Sequence, residues 1–166
     1  MTTLKDPPRN ILVPIDFSEQ SEKAATAACA LAAKTGATVH LLHAYVIPVE
    51  SVGLALTVSQ KYVEQFVSES KAQLQDLVAK LCPNASVGPL RVESGDPREV
   101  IVHKAKDLNA ELIGMGTHGR RGLIHAIMGS VAESVARSAG PDPVEVRTNE
   151  RPRASGRRRA GYRPAL

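Results

Sequence analysis

The chain has 166 residues, which is enough for one domain with a substantial buried core. Its hydrophobic fraction of 43% is typical of a globular protein, and its longest apolar runs fall far short of the ~20 residues that cross a bilayer. The first residues lack the basic and apolar regions of a signal peptide. We therefore expect a cytoplasmic protein without a membrane partner.

The formal net charge of +4 is unevenly distributed. Six arginines lie beyond Glu150 with no acidic residue among them. The formal net charge of residues 1–150 is therefore −2. This distribution disfavours nucleic-acid binding by the folded part. We predict a domain over 1–148 and a disordered Arg-rich tail over 149–166. The tail either docks on nucleic acid or an acidic partner, or is a solvated terminus.

The first half of the chain alternates strand and helix patterns. Apolar runs predict strands, 3.6-residue periodicity predicts helices, and Gly36 is placed to end the first helix. In chain order we expect a strand at 10–15, a helix at about 18–35, a strand at 38–44 and a helix at about 58–81.

The second half continues this alternation. A third strand at 86–93 is interrupted by Gly88-Pro89, and a proline there favours an edge position. Asp96-Pro97 begins a helix that runs to about 107. A strand at 110–115, a helix at 130–138 and a strand at 144–147 follow. Strands that alternate with helices predict a parallel sheet covered on both faces.

Neither cysteines nor histidines show metal-ligand or nucleophile–base spacing. Cys29 and Cys82 are interpreted as buried free thiols in a reducing cytosol. His40 and His43 lie in a predicted buried strand and are interpreted as core residues. Only His118, in a glycine-rich loop, is kept as a possible ligand contact.

That glycine-rich loop is the clearest functional signal in the chain. Gly116 and Gly119 follow the fourth predicted strand, and Gly129-Ser130 opens the next helix. Glycines allow a close backbone approach to a ligand, and a helix N-terminus attracts anions. The loop formally matches the dinucleotide fingerprint, but it follows the fourth strand and its helix begins only at Ser130, so we discount that match. A plain long loop is the alternative, and Ser130 is either a ligand-binding hydroxyl or a helix cap.

Asp16 follows the first strand. In a parallel sheet whose winding reverses between the first and fourth strands, Asp16 would face the glycine loop. It would then bind a ribose hydroxyl or a magnesium-bound water. It is equally interpreted as an acid that favours the N-terminus of the first helix.

These motifs together resemble the universal stress protein family. The similarity covers about residues 8–148 and rests on Asn-Ile-Leu-Val-Pro-Ile-Asp-Phe-Ser and on Gly-Met-Gly-Thr-His-Gly-Arg-Arg-Gly. Gly116, Gly119, Gly129 and Ser130 match the G-x2-G-x9-G-S pattern of the ATP-binding branch. The resemblance implies a three-layer α/β fold, Rossmann-like and similar to the adenine nucleotide alpha hydrolases. Its open five-stranded parallel sheet would have the order 3-2-1-4-5.

The resemblance also implies ATP, with Mg²⁺ accompanying the nucleotide through Asp16. The site residues it implies are Pro14, Asp16, Ala44, Met115, Gly116, Gly119, Gly129, Ser130 and Val131. It implies a stress-response or signalling module that acts through a protein partner, and a homodimer formed by the last strand. In that strand Glu145 and Arg147 alternate with valines, which disfavours edge pairing.

Two alternatives to a pure binding module stay open. One is slow ATP hydrolysis or autophosphorylation, with Ser130 or Thr117 near the γ-phosphate. The other is binding of nucleic acid or an acidic partner through the tail. No residue is assigned a catalytic role.

Overall fold

The computed structural model describes residues 7–46, 60–116 and 129–138, together with the backbone of 145–148. Over these ranges the strands are β1 (Asn10–Pro14), β2 (Thr38–Tyr45), β3 (Ser86–Val87), β4 (Arg91–Ser94), β5 (Leu112–Met115) and β6 (Glu145–Thr148). The helices are α1 (Glu19–Thr35), α2 (Gln60–Leu81), α3 (Pro97–Asp107) and α4 (Ser130–Ser138). The predicted tail over 149–166 and the predicted start of the second helix at about 58 lie outside the described residues.

All strand pairs are parallel, and the sheet order is β3-β2-β1-β5-β6 with β4 also pairing with β2. This confirms the predicted α/β class and strand order. One prediction changes in detail, because the single strand expected at 86–93 is two short strands that both pair with β2. Pro89 lies between them, and a proline has no N–H for the ladder. The edge position predicted from Pro89 is therefore confirmed.

The central strands are buried on both faces, which explains their continuous apolar runs. Ile11, Val13 and Leu41 belong to the core beneath α1 and α2. Leu12, Leu42 and Ile113 alternate with them and face the core of α3 and α4. The two cores with the sheet between them make the expected three layers. No helix in the described ranges is long and apolar enough to cross a membrane.

Helix α1 begins and ends as its sequence predicts. The Ser18 side chain caps the N-terminus by accepting from the Ser21 backbone N–H, and Gly36 ends the helix in the left-handed conformation with φ of 77°. The buried face consists mainly of alanines such as Ala24, Ala28 and Ala32. These small side chains allow α1 to lie close to the sheet.

His40 and His43 are buried, as predicted. His40 Nε2 lies 3.1 Å from Asn10 Oδ1, and burial lowers the pKa of His40, with the nearby charge of Arg91 adding to the effect. His40 is therefore neutral near pH 7. A Cβ on Gly88 would lie 2.5 Å from His40 Nδ1, so the chain between β3 and β4 needs a glycine beside this ring.

The interpretation of the cysteines as free thiols is wrong in this structure. Cys29 of α1 and Cys82, directly after α2, form a disulfide with a Cα–Cα distance of 5.2 Å. Both residues are buried, as predicted, but Cys82 lies just beyond the helix, and spacing along the chain could not show that α1 and the end of α2 meet. The reducing compartment assumed for free thiols remains a prediction.

The disulfide closes a loop with a sequence separation of 53 residues, so it restricts the unfolded chain. We expect the free energy of unfolding to fall by about 2–4 kcal/mol when the purified protein is reduced. Urea unfolding with and without reductant measures this difference. The matched control is Cys82→Ala, whose stability should not respond to reductant. Two titratable thiols in the unreduced, denatured chain would contradict the bond.

Candidate functional site

A pocket opens at the carboxyl ends of β1, β2 and β5. The cavity has a volume of about 150 Å³. Its position is the crevice beside the point where the winding of the sheet reverses, between β1 and β5. The lining residues are Pro14, Ile15, Asp16, Ser18, Ser21, Leu42, Ala44, Pro97, Ile101, Met115, Gly116 and Val131.

The loop after β1 brings Asp16 to the pocket and then begins α1. Asp16 Oδ1 accepts hydrogen bonds from the Ser18 backbone N–H at 3.1 Å and from Ser18 Oγ at 2.5 Å. Ser18 Oγ in turn accepts from the Ser21 N–H at 3.2 Å. Asp16 is therefore both a pocket residue and part of the turn that caps α1. A role of Asp16 in ligand binding and a role at the N-terminus of α1 are therefore compatible in this geometry.

Helix α3 contributes its first two turns to the pocket wall, through Pro97 and Ile101. Asp96 caps this helix by accepting from the Arg98 backbone N–H at 2.9 Å. Hydrogen bonds from Arg98 lower the pKa of Asp96 to about 2, so the cap is ionised at any physiological pH. The capping of α3 by Asp96 is therefore the same throughout the neutral pH range.

Helix α4 begins beside the pocket. The Glu133 N–H donates to the Gly129 carbonyl at 2.9 Å, which closes the first turn, and Val131 lines the pocket. Ser130 is exposed. The first N–H groups of a helix have no intrahelical partner, and they bear the positive end of its dipole. An anion at this end of α4 would accept hydrogen bonds from these N–H groups and would be attracted by the dipole.

Gly116 allows β5 and α1 to approach each other at the floor of the pocket. A Cβ on Gly116 would lie 2.8 Å from Gln20 Cβ and 2.9 Å from the Gln20 carbonyl carbon. Contacts this short are not tolerated without movement of the α1 backbone. Gly114 is different, because its nearest neighbour to an added Cβ is Val13 Cγ2 at 3.6 Å. Gly116 therefore has a packing role, in addition to the ligand role predicted for it.

Six of the nine predicted site residues line this pocket together: Pro14, Asp16, Ala44, Met115, Gly116 and Val131. Gly129 and Ser130 lie at the start of α4 next to Val131, but they are not among the lining residues. Gly119, together with Thr117 and His118, lies outside the described residues. The structure thus brings the β1 loop, the end of β5 and the start of α4 to one crevice.

Sequence reasoning missed six lining residues: Ile15, Ser18, Ser21, Leu42, Pro97 and Ile101. Pro97 could have been found, since it opens a helix directly after an edge strand and every such loop reaches the same end of the sheet. Leu42 and Ile101 could not, because their sequence pattern is that of ordinary core residues.

The described residues contain no group of three or more His, Cys, Asp or Glu side chains that could hold a metal ion. Within the described lining, Asp16 is the only ionisable side chain. The pocket wall is otherwise apolar, apart from the hydroxyls of Ser18 and Ser21. This composition suits a largely apolar group with one or two hydrogen-bonding atoms.

Comparison with known proteins gives one consistent result. The model of the Universal stress protein family matches residues 8–142. A putative universal stress protein of Staphylococcus aureus (strain USA300) is 32% identical over 150 residues, which cover 87% of each chain.

Two solved structures show the same fold. Hypothetical protein MJ0577, the subject of a structure-based assignment of biochemical function, has a TM-score of 0.70 and 27% identity over 86% of this chain and 97% of its own. A universal stress protein in complex with cAMP has a TM-score of 0.60 and 21% identity over the same shares of the two chains.

The different surroundings of Gly114 and Gly116 give a matched pair of variants. We expect Gly116→Ala to lower the free energy of unfolding by about 1–3 kcal/mol, because the new methyl group overlaps the Gln20 backbone. Gly114→Ala should change it by less than about 1 kcal/mol, since its methyl group makes ordinary contacts. Urea unfolding of both variants tests this, and equal stabilities would refute the packing role of Gly116.

Proposed function

Because the chain belongs to the universal stress protein family, we propose that it binds ATP in the pocket at the carboxyl ends of β1 and β5. It would act as a nucleotide-dependent stress-response or signalling module. The observation that carries this proposal is the convergence of six predicted nucleotide-site residues on one crevice. The proposed site occupies the position where open parallel sheets bind ligands.

The apolar part of the pocket fits the adenine base. Leu42, Ala44 and Ile101 are contributed by β2 and α3, and Met115 lies at the end of β5. Such side chains provide flat van der Waals contact to an aromatic ring and exclude water from it. The Asp16 carboxylate also lines this space. There it can accept a hydrogen bond from a ribose hydroxyl.

The phosphates would lie at the N-terminus of α4. Gly129 and Ser130 start this helix, whose unpaired N–H groups and dipole favour an anion. Gly116 is placed at the pocket, and the predicted G-x2-G-x9-G-S pattern continues from it. ATP rather than another anion is supported by this pattern and by the apolar space beside it.

Magnesium would enter with the nucleotide. A cation held by protein side chains alone needs several oxygen ligands, whereas Mg²⁺ in nucleotide sites is bound by one or two carboxylates together with phosphates. Asp16 is the one carboxylate in the described lining. It fits the second arrangement, either directly or through a magnesium-bound water.

A related structure supports an adenine ligand. The universal stress protein in complex with cAMP shares this fold, and cAMP contains the same base and ribose as ATP. The choice of ATP for this chain rests on its own glycine motif. Signalling through an unidentified protein partner, a homodimer formed along β6 and a cytoplasmic location complete the proposal.

We expect the purified chain to retain a nucleotide. Mass spectrometry after gentle denaturation should release ATP, ADP or AMP, and titration calorimetry of the nucleotide-free protein with Mg-ATP should show saturable heat. A protein without bound nucleotide that shows no heat with Mg-ATP would refute the proposal. Recovery of ATP intact after hours of incubation would support a binding role, whereas steady release of phosphate would favour the slow ATPase.

A single substitution can fill the apolar part of the pocket, where we propose that the adenine base binds. Ala44→Met places three additional heavy atoms in the pocket beside Leu42, and we expect Mg-ATP affinity to fall about tenfold or more. The matched control is Ala27→Met, on the exposed face of α1, which should bind as the wild type does. Calorimetry measures both affinities. Equal binding by the two variants would place the nucleotide elsewhere.

A further inference from the structure

We propose that His43 is a positioning residue of this pocket. Its side chain holds the loop after β1, and with it Asp16, in place. His43 lies on β2, and its side chain is 7% exposed. It is absent from the pocket lining, so it acts through other residues rather than on a ligand. The inference rests on the proposed nucleotide site, because it assigns a support to that site.

The first contact is a hydrogen bond to the backbone of the loop. Backbone pairing between β1 and β2 continues to the Ile15 N–H, which donates to the Leu42 carbonyl at 2.8 Å. The Ile15 carbonyl then lies 2.7 Å from His43 Nδ1. Because a carbonyl can only accept, Nδ1 must carry the proton. A side chain of β2 thus holds the chain where it leaves the sheet.

The second contact fixes the conformation of Phe17. This residue has φ of 60°, a left-handed conformation that residues other than glycine rarely adopt. Its ring packs on the imidazole of His43, with centroids 4.7 Å apart and planes inclined by 50°. Burial of the Phe17 ring against His43 stabilises a backbone geometry that is unfavourable in isolation.

The two contacts lie on either side of Asp16. Ile15 is held by the hydrogen bond, Phe17 is held by the ring contact, and Asp16 between them is presented to the pocket. Its carboxylate then accepts from the Ser18 N–H and Oγ. On α2, the centroid of the Phe66 ring lies 6.2 Å from that of the imidazole. One buried side chain thus holds the loop segments on both sides of Asp16, and the Ser18 hydrogen bonds orient its carboxylate.

Two variants separate the contacts. His43→Phe keeps an aromatic ring against Phe17 but removes the donor, whereas His43→Asn keeps a donor near the position of Nδ1 and removes the ring. We expect His43→Phe to weaken Mg-ATP binding about 3–10-fold, the effect of losing one buried hydrogen bond. His43→Asn should bind at least about threefold more tightly than His43→Phe, because its amide can donate to the Ile15 carbonyl.

Phe66→Leu is the control for a general loss of packing. It removes the other ring that contacts His43 and leaves the bonds of the loop in place. It should lower the midpoint of thermal unfolding without changing affinity for Mg-ATP. Binding is measured at a temperature at which every variant is fully folded.

Two NMR measurements on the nucleotide-free full chain complete the test. The ¹⁵N signal of His43 Nδ1 at pH 8 should be that of a protonated nitrogen. The amide of Ser18, which donates to Asp16, should exchange faster with solvent in His43→Phe than in the wild type.

The inference is overturned if Nδ1 is unprotonated, if His43→Phe leaves both Ser18 exchange and affinity unchanged, or if His43→Asn binds as weakly as His43→Phe. A wild-type protein that binds no nucleotide would refute the proposed function instead. The protonation of Nδ1 and the exchange of Ser18 would still decide whether His43 positions the loop.

Discussion

The position of β1 is the constraint on which the rest of this structure depends. It pairs in parallel with β2 on one side and with β5 on the other, and the winding of the sheet reverses between these neighbours. Loops on the two sides therefore leave in opposite directions, and a crevice stays open at their divergence. The apolar run of β1 is buried on both faces, so a one-residue slip would exchange the two cores and remove Asp16 from the crevice.

Small residues determine how near the helices come to that crevice. Ala24 and Ala28 of α1 face the Gly114 backbone, and Gly116 meets Gln20 at the first turn of the same helix. The N-terminus of α1 is therefore drawn down against the end of β5, which brings Ser18 and Ser21 into the pocket wall. A larger residue at Gly116 would move the helix and the Asp16 loop together. Helix packing and the shape of the pocket are therefore coupled at Gly116.

Local signals in the sequence predicted the helices and strands. They could not predict the features that depend on contacts between residues distant in the sequence. Apolar runs, the Asp96 cap and Gly36 placed the helices and strands, and Pro89 placed the edge. The disulfide and the contributions of Leu42 and Ile101 to the pocket depend on elements distant in sequence. The family resemblance pointed to six pocket residues, five of them at strand ends and Val131 in α4. His43 was interpreted only as a core residue, because its partner at Ile15 is visible only once β1 and β2 are paired.

The pocket divides into two parts that are carried by different elements. β1, β2 and α3 contribute mainly apolar side chains together with Asp16, the end of β5 contributes Met115 and Gly116, and α4 contributes Val131 of its first turn. The apolar part would recognise the shape of a ligand. The N-terminus of α4 would attract the negative charge of that ligand through its backbone N–H groups. If the proposed nucleotide binds here, changes near the start of α4 are expected to alter phosphate binding more than binding of the base. Under the proposed function, the apolar side chains would contact the base, and the N-terminus of α4 would bind the phosphates.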